Sequence, residues 1–180
     1  MTLEIGCGHG HFLTSYAIHH PSTFCIGIDL IVDRVARAGR KKDRARLTNL
    51  HFLQAEAGEF LDSLPAGAQF ADVFVLFPDP WPKRRHHKNR LIQPEFLTKL
   101  ASRMDSGARL CFRTDYAPYF AEASRTIGAH GAWDIPSSAP WPHELETVFQ
   151  SRAAGFQSLV ALRNSAPVPN ASEVSPEAFS

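Results

Sequence analysis

Five apolar segments alternate with five helical patterns along this chain, and that alternation limits its fold more than any other feature. The segment at residues 71–77 is a near-continuous run of β-branched and aromatic residues, which is typical of a central strand buried on both faces. The other strands are expected at residues 2–5, 24–29, 50–53 and 109–113. Strands that alternate with helices predict an open α/β sheet, mostly parallel, with right-handed crossovers and helices on both faces.

One of the predicted helices is strongly basic. It covers residues 31–46, with Val35, Ala36 and Ala38 on its inner face, and the other helices are expected near residues 12–17, 58–64, 94–104 and 117–130. A chain of 180 residues with 44% hydrophobic content suffices for one core, so we expect a single domain at residues 1–164. Residues 165–180 carry three prolines and few apolar side chains, and we predict a disordered tail there.

Acidic residues occur at or just after the carboxyl ends of all five predicted strands. They are Glu4, Asp29, Glu56, Asp79 and Asp115. Because ligands of open α/β sheets bind outside the carboxyl ends of the strands, we expect these carboxylates to line one binding rim.

A glycine turn follows the first strand and opens the first helix. Gly6, Gly8 and Gly10 let a ligand approach the backbone and the free N–H groups of the helix. The turn is not a dinucleotide fingerprint, because His11 stands where a further glycine would be needed. Asp29, about 20 positions on, is placed to accept both ribose hydroxyls of an adenosine cofactor. With no pyrophosphate to hold, this pattern favours S-adenosylmethionine over NAD.

Two other carboxylates have less specific sequence contexts. Glu4 lies between Leu3 and Ile5 in a core strand, so it should face a ligand or a buried donor, since an unpaired buried charge is costly. The ammonium group of a sulfonium cofactor would supply the complement. Glu56 has two interpretations, a partner for an adenine amino group or an exposed loop carboxylate.

The run at residues 77–90, FPDPWPKRRHHKNR, joins a rigid carboxylate to a cationic surface. Three prolines around Asp79 fix φ and hold their preceding residues extended. The basic residues that follow are suited to nucleic-acid phosphates; they are Lys83, Arg84, Arg85, Lys88 and Arg90. Trp81 has two open roles, stacking on a base or packing the loop.

The positive charge of the chain is concentrated in two segments. The formal net charge is only +1, yet residues 34–46 hold seven Lys or Arg and residues 83–90 hold five. Such clustering indicates a local electrostatic footprint for a polyanion, whereas evenly spread charge would not.

Several other classes of protein are disfavoured. Cys7, Cys25 and Cys111 lie in or beside apolar runs and are expected to be reduced core thiols. The nine histidines include two adjacent pairs without ligand spacing, so no metal site is expected, and no nucleophile elbow is found. No apolar stretch is long enough for a membrane span and no signal peptide is recognised, so we expect a cytoplasmic protein. A monomer and a homodimer are both compatible with the sequence.

From residue 2 to residue 163 the chain resembles the bacterial tRNA (guanine-N7-)-methyltransferases of the TrmB type, and the run FPDPWPKRRHHKNRL is highly specific for them. The resemblance implies a Rossmann-like class I S-adenosylmethionine-dependent methyltransferase that forms 7-methylguanosine in the variable loop of tRNA. It implies that Glu4, Asp29, Glu56 and Asp79 bind the cofactor, with Asp79 also the proposed catalytic position. It further implies substrate binding at Lys83, Asp115, Thr147, Val148, Phe149 and Gln150.

The sequence departs from the family pattern in two places. The last substrate segment usually reads TKFE, whereas Val148 here replaces the lysine and Gln150 the glutamate. The family also usually has an N-terminal extension, whereas this sequence begins at the first strand. We therefore expect either a fragment or a wrongly assigned start.

Two other functions are compatible with the same residues. One is methylation of an exocyclic amino group of a base, because Asp79-Pro80-Trp81 shares part of the DPPY motif of adenine-N6 enzymes. The missing second proline and the basic continuation count against it. The other is a catalytically weak RNA-binding protein that keeps the methyltransferase fold, which Gln150 and the short N-terminus favour.

Overall fold

A computed structural model describes residues 1–145 and 155–168, and this part of the chain holds a seven-stranded sheet. The strands are β1 (Thr2–Ile5), β2 (Cys25–Asp29), β3 (Leu50–Gln54), β4 (Asp72–Leu76), β5 (Arg109–Thr114), β6 (Trp133–Asp134) and β7 (Gln157–Arg163). Their spatial order is β3-β2-β1-β4-β5-β7-β6. Strands β1 to β5 are parallel, and β7 pairs antiparallel with both β5 and β6.

Helices cover both faces of this sheet. They are α1 (His11–His19), α2 (Val32–Arg44), α3 (Ala57–Ser63), α4 (Pro94–Ala101) and α5 (Ala117–Ala129), with a 3₁₀ helix at Arg84–Asn89. Helices α1 and α2 lie on one face, and α3, α4 and α5 pack on the other. The prediction of a Rossmann-like, mostly parallel α/β sheet is therefore confirmed.

Strand β4 shows why the central strands are apolar throughout. Val73 and Val75 belong to the core under α3, α4 and α5, while Phe74 packs into the core under α1. All three are fully buried, as expected for a strand covered on both faces. In β1 the same alternation sends Leu3 and Ile5 toward the α3–α5 side.

The register aligns the carboxyl ends of the parallel strands. Ile5 lies opposite Ile28 of β2 and Val75 of β4, and Leu76 lies opposite Arg113 of β5. The segments that follow β1, β2, β4 and β5 therefore begin at one rim of the sheet. This rim is where the sequence predicted the binding site.

Three details differ from the sequence analysis. Strands β6 and β7 follow the last predicted helix and were not predicted. In α2, Ala38 is buried and Val35 half-buried, but Ala36 is exposed, so its assignment to the inner face is wrong. The basic segment after Trp81 contains a 3₁₀ helix, which was not predicted.

The boundary between domain and tail stays a prediction. Val168 packs against the core on the α3–α5 side, and residues 169–180 lie outside the described residues. Among the described helices, none combines the length and apolar character that a membrane crossing requires.

Candidate active site

The glycine turn after β1 is built from left-handed backbone. Gly10, at φ 67°, lies so close to its neighbours that a Cβ atom there would be 2.6 Å from the Phe52 ring and 2.8 Å from the Ala38 Cβ. Gly10 therefore lets α1 begin against α2 and β3. Gly6 and Gly8 are also left-handed, but a Cβ atom at either would meet no atom within 4 Å. These two glycines border open space at the rim.

Asp29 ties the end of β2 to this turn. Its Oδ2 accepts a hydrogen bond from the Gly8 N–H at 2.9 Å, and its Oδ1 accepts one from the Ile31 N–H at 2.9 Å. The Arg34 guanidinium lies 3.8 Å from Oδ2. Each carboxylate oxygen has two lone pairs, so Asp29 keeps acceptor capacity toward a ligand.

Glu4 is a buried carboxylate with one oxygen unused. The Leu13 N–H in the first turn of α1 donates to it, while Oε2 has no hydrogen-bond partner among the described residues. Loss of solvation raises the pKa of Glu4 well above its usual range; the Leu13 hydrogen bond opposes this, and the nearby charge of Asp29 adds to it. A ligand cation at this position would stabilise the ionised form.

Glu56 lies two residues beyond β3 and serves as the N-cap of α3. Its Oε2 accepts a hydrogen bond from the Glu59 N–H at 2.8 Å, and the residue is exposed. One oxygen therefore has a structural role, which leaves the other available to a ligand.

Asp79 is exposed on a short segment that follows β4, between two residues with unusual backbone. Phe77 has φ 50° and Trp81 has φ 43°, in the left-handed region that residues other than glycine rarely adopt. Such residues cost roughly 1–3 kcal/mol each and cluster at functional sites. The Phe77 N–H donates to the Arg113 carbonyl oxygen at 2.8 Å, which extends the β4–β5 pairing to the start of the segment.

Arg90 holds the other end of the Asp79 segment. Its side chain is 1% exposed; Nε donates to the Pro80 carbonyl oxygen at 2.9 Å, and Nη1 forms an ion pair with Glu122 of α5. The guanidinium also lies 4.9 Å from the centroid of the Tyr119 ring. The expected phosphate contact of Arg90 is therefore wrong in this structure, because its side chain is buried and its donors face the protein.

The other basic residues of the run are open to solvent. Arg84, Arg85 and Lys88 of the 3₁₀ helix are exposed, as is Lys83 at its N-cap. The Trp81 ring meets His86 edge-on, with centroids 5.8 Å apart. Trp81 thus packs the loop in this structure, and four cations remain available for an anionic partner.

Asp115 lies exposed just after β5, next to a cluster around Arg113. The Arg113 guanidinium lies between the rings of Trp141 and Phe156, 4.0 and 4.7 Å from their centroids, and it donates to Glu144. This cluster anchors the chain on both sides of residues 146–154. Four predicted substrate-binding residues fall in that stretch, outside the described residues: Thr147, Val148, Phe149 and Gln150.

Two residues that support the Asp79 segment, Arg90 and Glu122, were not predicted in that role from the sequence. Glu122 carries no motif, and Arg90 was grouped with the phosphate-binding cations because it ends the basic run. The apolar pair Leu91-Ile92 directly after Arg90 was the available signal that the chain returns to the core there. Ile92 is buried, and its N–H donates to the Tyr119 hydroxyl at 3.2 Å.

The described residues contain neither a group of side chains that could hold a metal ion nor a reactive thiol. No group of three or more His, Cys, Asp or Glu side chains in residues 1–145 and 155–168 is arranged to hold a metal ion. Cys7, Cys25 and Cys111 are free and buried. Burial raises the pKa of Cys25 to about 11 and raises that of the other two further, which makes all three poor nucleophiles.

The residues at the rim are compatible with S-adenosylmethionine. The unused Glu4 oxygen suits an ammonium group, Asp29 retains acceptors for a ribose diol, and Gly6 and Gly8 leave room for a ligand beside the backbone. Asp79 stands at the end of β4, two strand positions from Asp29 at the end of β2. The arrangement can hold a cationic nucleoside and present a further carboxylate, that of Asp79, to another substrate.

A family model described as "Putative methyltransferase" matches residues 1–154 of the chain. The tRNA (guanine-N(7)-)-methyltransferase of Thermosynechococcus vestitus is 34% identical over 145 residues, covering 78% of this chain and 68% of that protein. The enzyme of the same name from Caulobacter vibrioides is 46% identical over 117 residues, covering 65% and 51%. That of Magnetococcus marinus is 36% identical over 160 residues, covering 85% and 63%. The chain thus spans from about half to about two thirds of the length of these relatives.

Solved structures support the fold. TrmN from Thermus thermophilus superposes with a TM-score of 0.66 at 17% identity, covering 91% of this chain and 43% of that one. The aminoglycoside resistance methyltransferase NpmB1 gives a TM-score of 0.60 at 19% identity, covering 90% and 86%. At these identities the likeness concerns the fold alone.

Proposed function

The chain belongs to the tRNA (guanine-N(7)-)-methyltransferase family, and from that premise we propose that it transfers a methyl group from S-adenosylmethionine to N7 of a guanine in tRNA. The variable-loop position implied by the sequence resemblance is part of the proposal. A cytoplasmic location and a single domain at residues 1–164 remain predictions.

One observation carries this proposal. Asp79 stands exposed at the rim that also holds the glycine turn and Asp29, and its segment continues directly into the exposed cations of residues 83–88. Asp79 therefore lies between a site for a cationic nucleoside and a surface for a polyanion. This combination supports methyl transfer to a nucleic acid.

The reaction mainly requires that the protein position the two reactants. S-adenosylmethionine supplies an electrophilic methyl group on a sulfonium. Guanine N7 already has a lone pair and no proton to lose, so it attacks the methyl carbon as the carbon–sulfur bond breaks, and the base gains positive charge. Orientation of the two reactants can supply much of the rate enhancement. A general base is not required.

Asp79 acts in this proposal as an electrostatic and positioning group. Its carboxylate accepts hydrogen bonds from the N1–H and amino group of the guanine, or it anchors the cofactor ammonium, as positive charge develops on the base. Glu4 and Asp29 hold the ammonium and ribose ends of the cofactor, beside Gly6 and Gly8. The free oxygen of Glu56 receives the adenine amino group.

The exposed cations form the proposed tRNA surface. Lys83, Arg84, Arg85 and Lys88 contact phosphates, while Asp115 and the segment at residues 147–150 bind the target nucleotide. The hydrogen bonds from Arg113 to Glu144 fix the chain on the side of β5, just before the residues that the structure leaves undescribed.

Nucleoside analysis tests the proposal. Incubation of the chain with S-adenosylmethionine and unmodified tRNA, followed by digestion and mass spectrometry, is expected to yield 7-methylguanosine. A different methylated nucleoside, such as one with an exocyclic methylamino group, would contradict it. Binding of S-adenosylmethionine and tRNA without any product would instead identify a catalytically weak RNA-binding protein.

A further inference from the structure

Apart from Arg34, which pairs with Asp29, the second basic cluster of the chain, in α2, has no role in the site described above. The helix contains six Lys or Arg and only two Asp. Arg37, Arg40 and Arg44 follow a spacing of three and then four residues, which places them along one side of an α-helix. All three are exposed, and at 1.5 Å per residue they span about 10 Å of the helix. We call these three residues the arginine stripe.

The arginine stripe is not neutralised within the described part of the chain. The ion pairs of α2 are Arg34 with Asp29 and Lys42 with Asp43, and neither includes a stripe residue. Like charges three or four residues apart destabilise a helix by roughly 0.2–0.5 kcal/mol per pair. A face that only needs solubility usually carries mixed charges. Three unpaired arginines in line therefore indicate an anionic partner.

The fold brings the helix that carries the stripe and the basic 3₁₀ helix to the same rim, where Glu122 of α5, on the other face of the sheet, holds the 3₁₀ helix. Helix α2 follows β2 and the basic 3₁₀ helix follows β4, with only β1 between these two strands. At a strand spacing of about 4.8 Å, the two segments leave the same rim roughly 10 Å apart. Helix α2 then runs back from the rim along the α1 side of the sheet. One extended polyanion can reach both surfaces.

We propose that Arg37, Arg40 and Arg44 form a second phosphate-binding surface for the RNA substrate, separate from residues 83–88. The proposal rests on the proposed function for the identity of the polyanion. Arginine suits the role because its planar fork pairs with phosphate oxygens in a bidentate manner. The stripe contacts phosphates remote from the target base, so it contributes affinity and orientation, and the residues at the rim perform the transfer.

A lipid surface fits the stripe less well than RNA does. A helix that lies on a membrane carries large apolar side chains beside its basic face. Exposed Leu30, Ile31 and Val32 lie together where α2 begins, before the stripe. Along the stripe itself the apolar side chains are the small Ala36 and Ala38 and the half-buried Val35. The membrane alternative is an outcome of the test.

The test compares the salt dependence of tRNA binding in matched variants. Arg37→Ala, Arg40→Ala and Arg44→Ala are combined in one protein, and Lys99→Ala, which removes a cation of α4 that pairs with Asp62 of α3, is the control. Each lost phosphate contact lowers the slope of log affinity against log salt by about 0.7–0.9, so the triple variant should lose roughly 2–3. KM for tRNA should rise while kcat at saturating tRNA stays near that of the wild type. The control should change neither.

Further variants keep the proposal open to refutation. Arg40→Ala alone should give about a third of the slope change, which covers the case in which the triple variant is unstable. Lysine at all three positions should restore most of the slope because the charge returns. An unchanged salt slope of tRNA binding in the alanine variants would overturn the proposal. It would also be overturned if the triple alanine variant bound tRNA normally but no longer bound phosphatidylserine vesicles that the wild type binds. Failure of the wild type to form 7-methylguanosine would instead count against the proposed function.

Discussion

The Nε of Arg90 lies 2.9 Å from the carbonyl oxygen of Pro80, the residue that follows Asp79. Arg90 also pairs with Glu122 of α5, and His87 Nδ1 lies 3.3 Å from the same carboxylate oxygen of Glu122. The segment that presents Asp79 is therefore fixed to the core at both ends, by Arg90 and by the hydrogen bond from Phe77 to Arg113.

We expect Arg90→Lys to lower kcat while leaving the salt slope of tRNA binding unchanged. Lysine keeps the charge but lacks the planar fork that reaches Glu122 and Pro80 together. Single-turnover rates at saturating tRNA and salt titrations of tRNA affinity separate the two effects. Glu122→Gln, which keeps an acceptor for Arg90, should retain more activity. A slope reduced by about 0.7–0.9 would show that Arg90 contacts a phosphate after all.

Asp79→Asn should reduce turnover by on the order of 100-fold with little change in stability. The substitution keeps the shape and removes the charge, and loss of one preorganised electrostatic group typically has an effect of about this size. Asp79 is exposed, so the free energy of unfolding should stay within about 0.5 kcal/mol of the wild type. Asp105→Asn, an exposed acid before β5 at the opposite rim, is the matched control. Near-normal turnover in Asp79→Asn would refute the electrostatic role.

Glu4 should make stability depend on pH. Burial raises its pKa, so the folded protein holds this proton more tightly than the unfolded chain. The protonated Glu4 therefore contributes to the free energy of unfolding, and this contribution is fully present below the ordinary pKa of 4.5. It is lost as pH rises toward the raised pKa of Glu4 in the folded protein, by about 1.4 kcal/mol for each unit of pKa shift. Glu4→Gln cannot ionise, so its free energy of unfolding should exceed that of the wild type by an amount that grows as pH rises from 4.5 toward the raised pKa of Glu4 in the fold.

Urea titrations at several pH values measure this difference, which would be constant with pH if Glu4 ionised freely in the fold. S-adenosylmethionine should bind Glu4→Gln more weakly, because the neutral amide cannot pair with an ammonium group. Unchanged cofactor affinity would remove Glu4 from the cofactor site and leave it as the acceptor for the Leu13 N–H.

Replacing Arg84 and Arg85 together by alanine should weaken tRNA binding and lower its salt slope by about 0.7–0.9 per lost contact. Both side chains are exposed, so cofactor affinity and the melting temperature should remain near those of the wild type. Filter binding across a range of salt concentrations provides the measurement, with Lys99→Ala of α4 as the control. If the slope stays the same, this side of the 3₁₀ helix faces away from RNA.

The sequence predicted the central sheet and its rim because those features depend on local patterns. Apolar runs such as residues 71–77 specify buried parallel strands. Because the carboxyl ends of parallel strands lie at one edge of the sheet, the acidic residues that end these strands lie at that edge too. Strand β7 was missed even though residues 157–163 are largely apolar. The alternation of strands and helices predicts parallel strands only, and an antiparallel strand that returns beside β5 does not belong to that repeat.

The support of Asp79 could not be predicted because it depends on contacts that are distant in the sequence. Glu122 is 32 residues from Arg90, and only the packing of α5 brings the two together. The left-handed backbone of Phe77 and Trp81 was also beyond sequence reasoning, since neither residue type favours that conformation. Prolines alone predicted a rigid segment, but they did not indicate how it is held.

Methylation of a tRNA transcript in which 7-deazaguanosine replaces guanosine tests the central claim most directly. The replacement exchanges N7 for carbon and so removes the proposed nucleophile, while the amino group and N1–H of the base remain. With radiolabelled S-adenosylmethionine, we predict that the guanosine transcript acquires label as 7-methylguanosine and that the 7-deazaguanosine transcript acquires none. Equal labelling of both transcripts would contradict methyl transfer to N7.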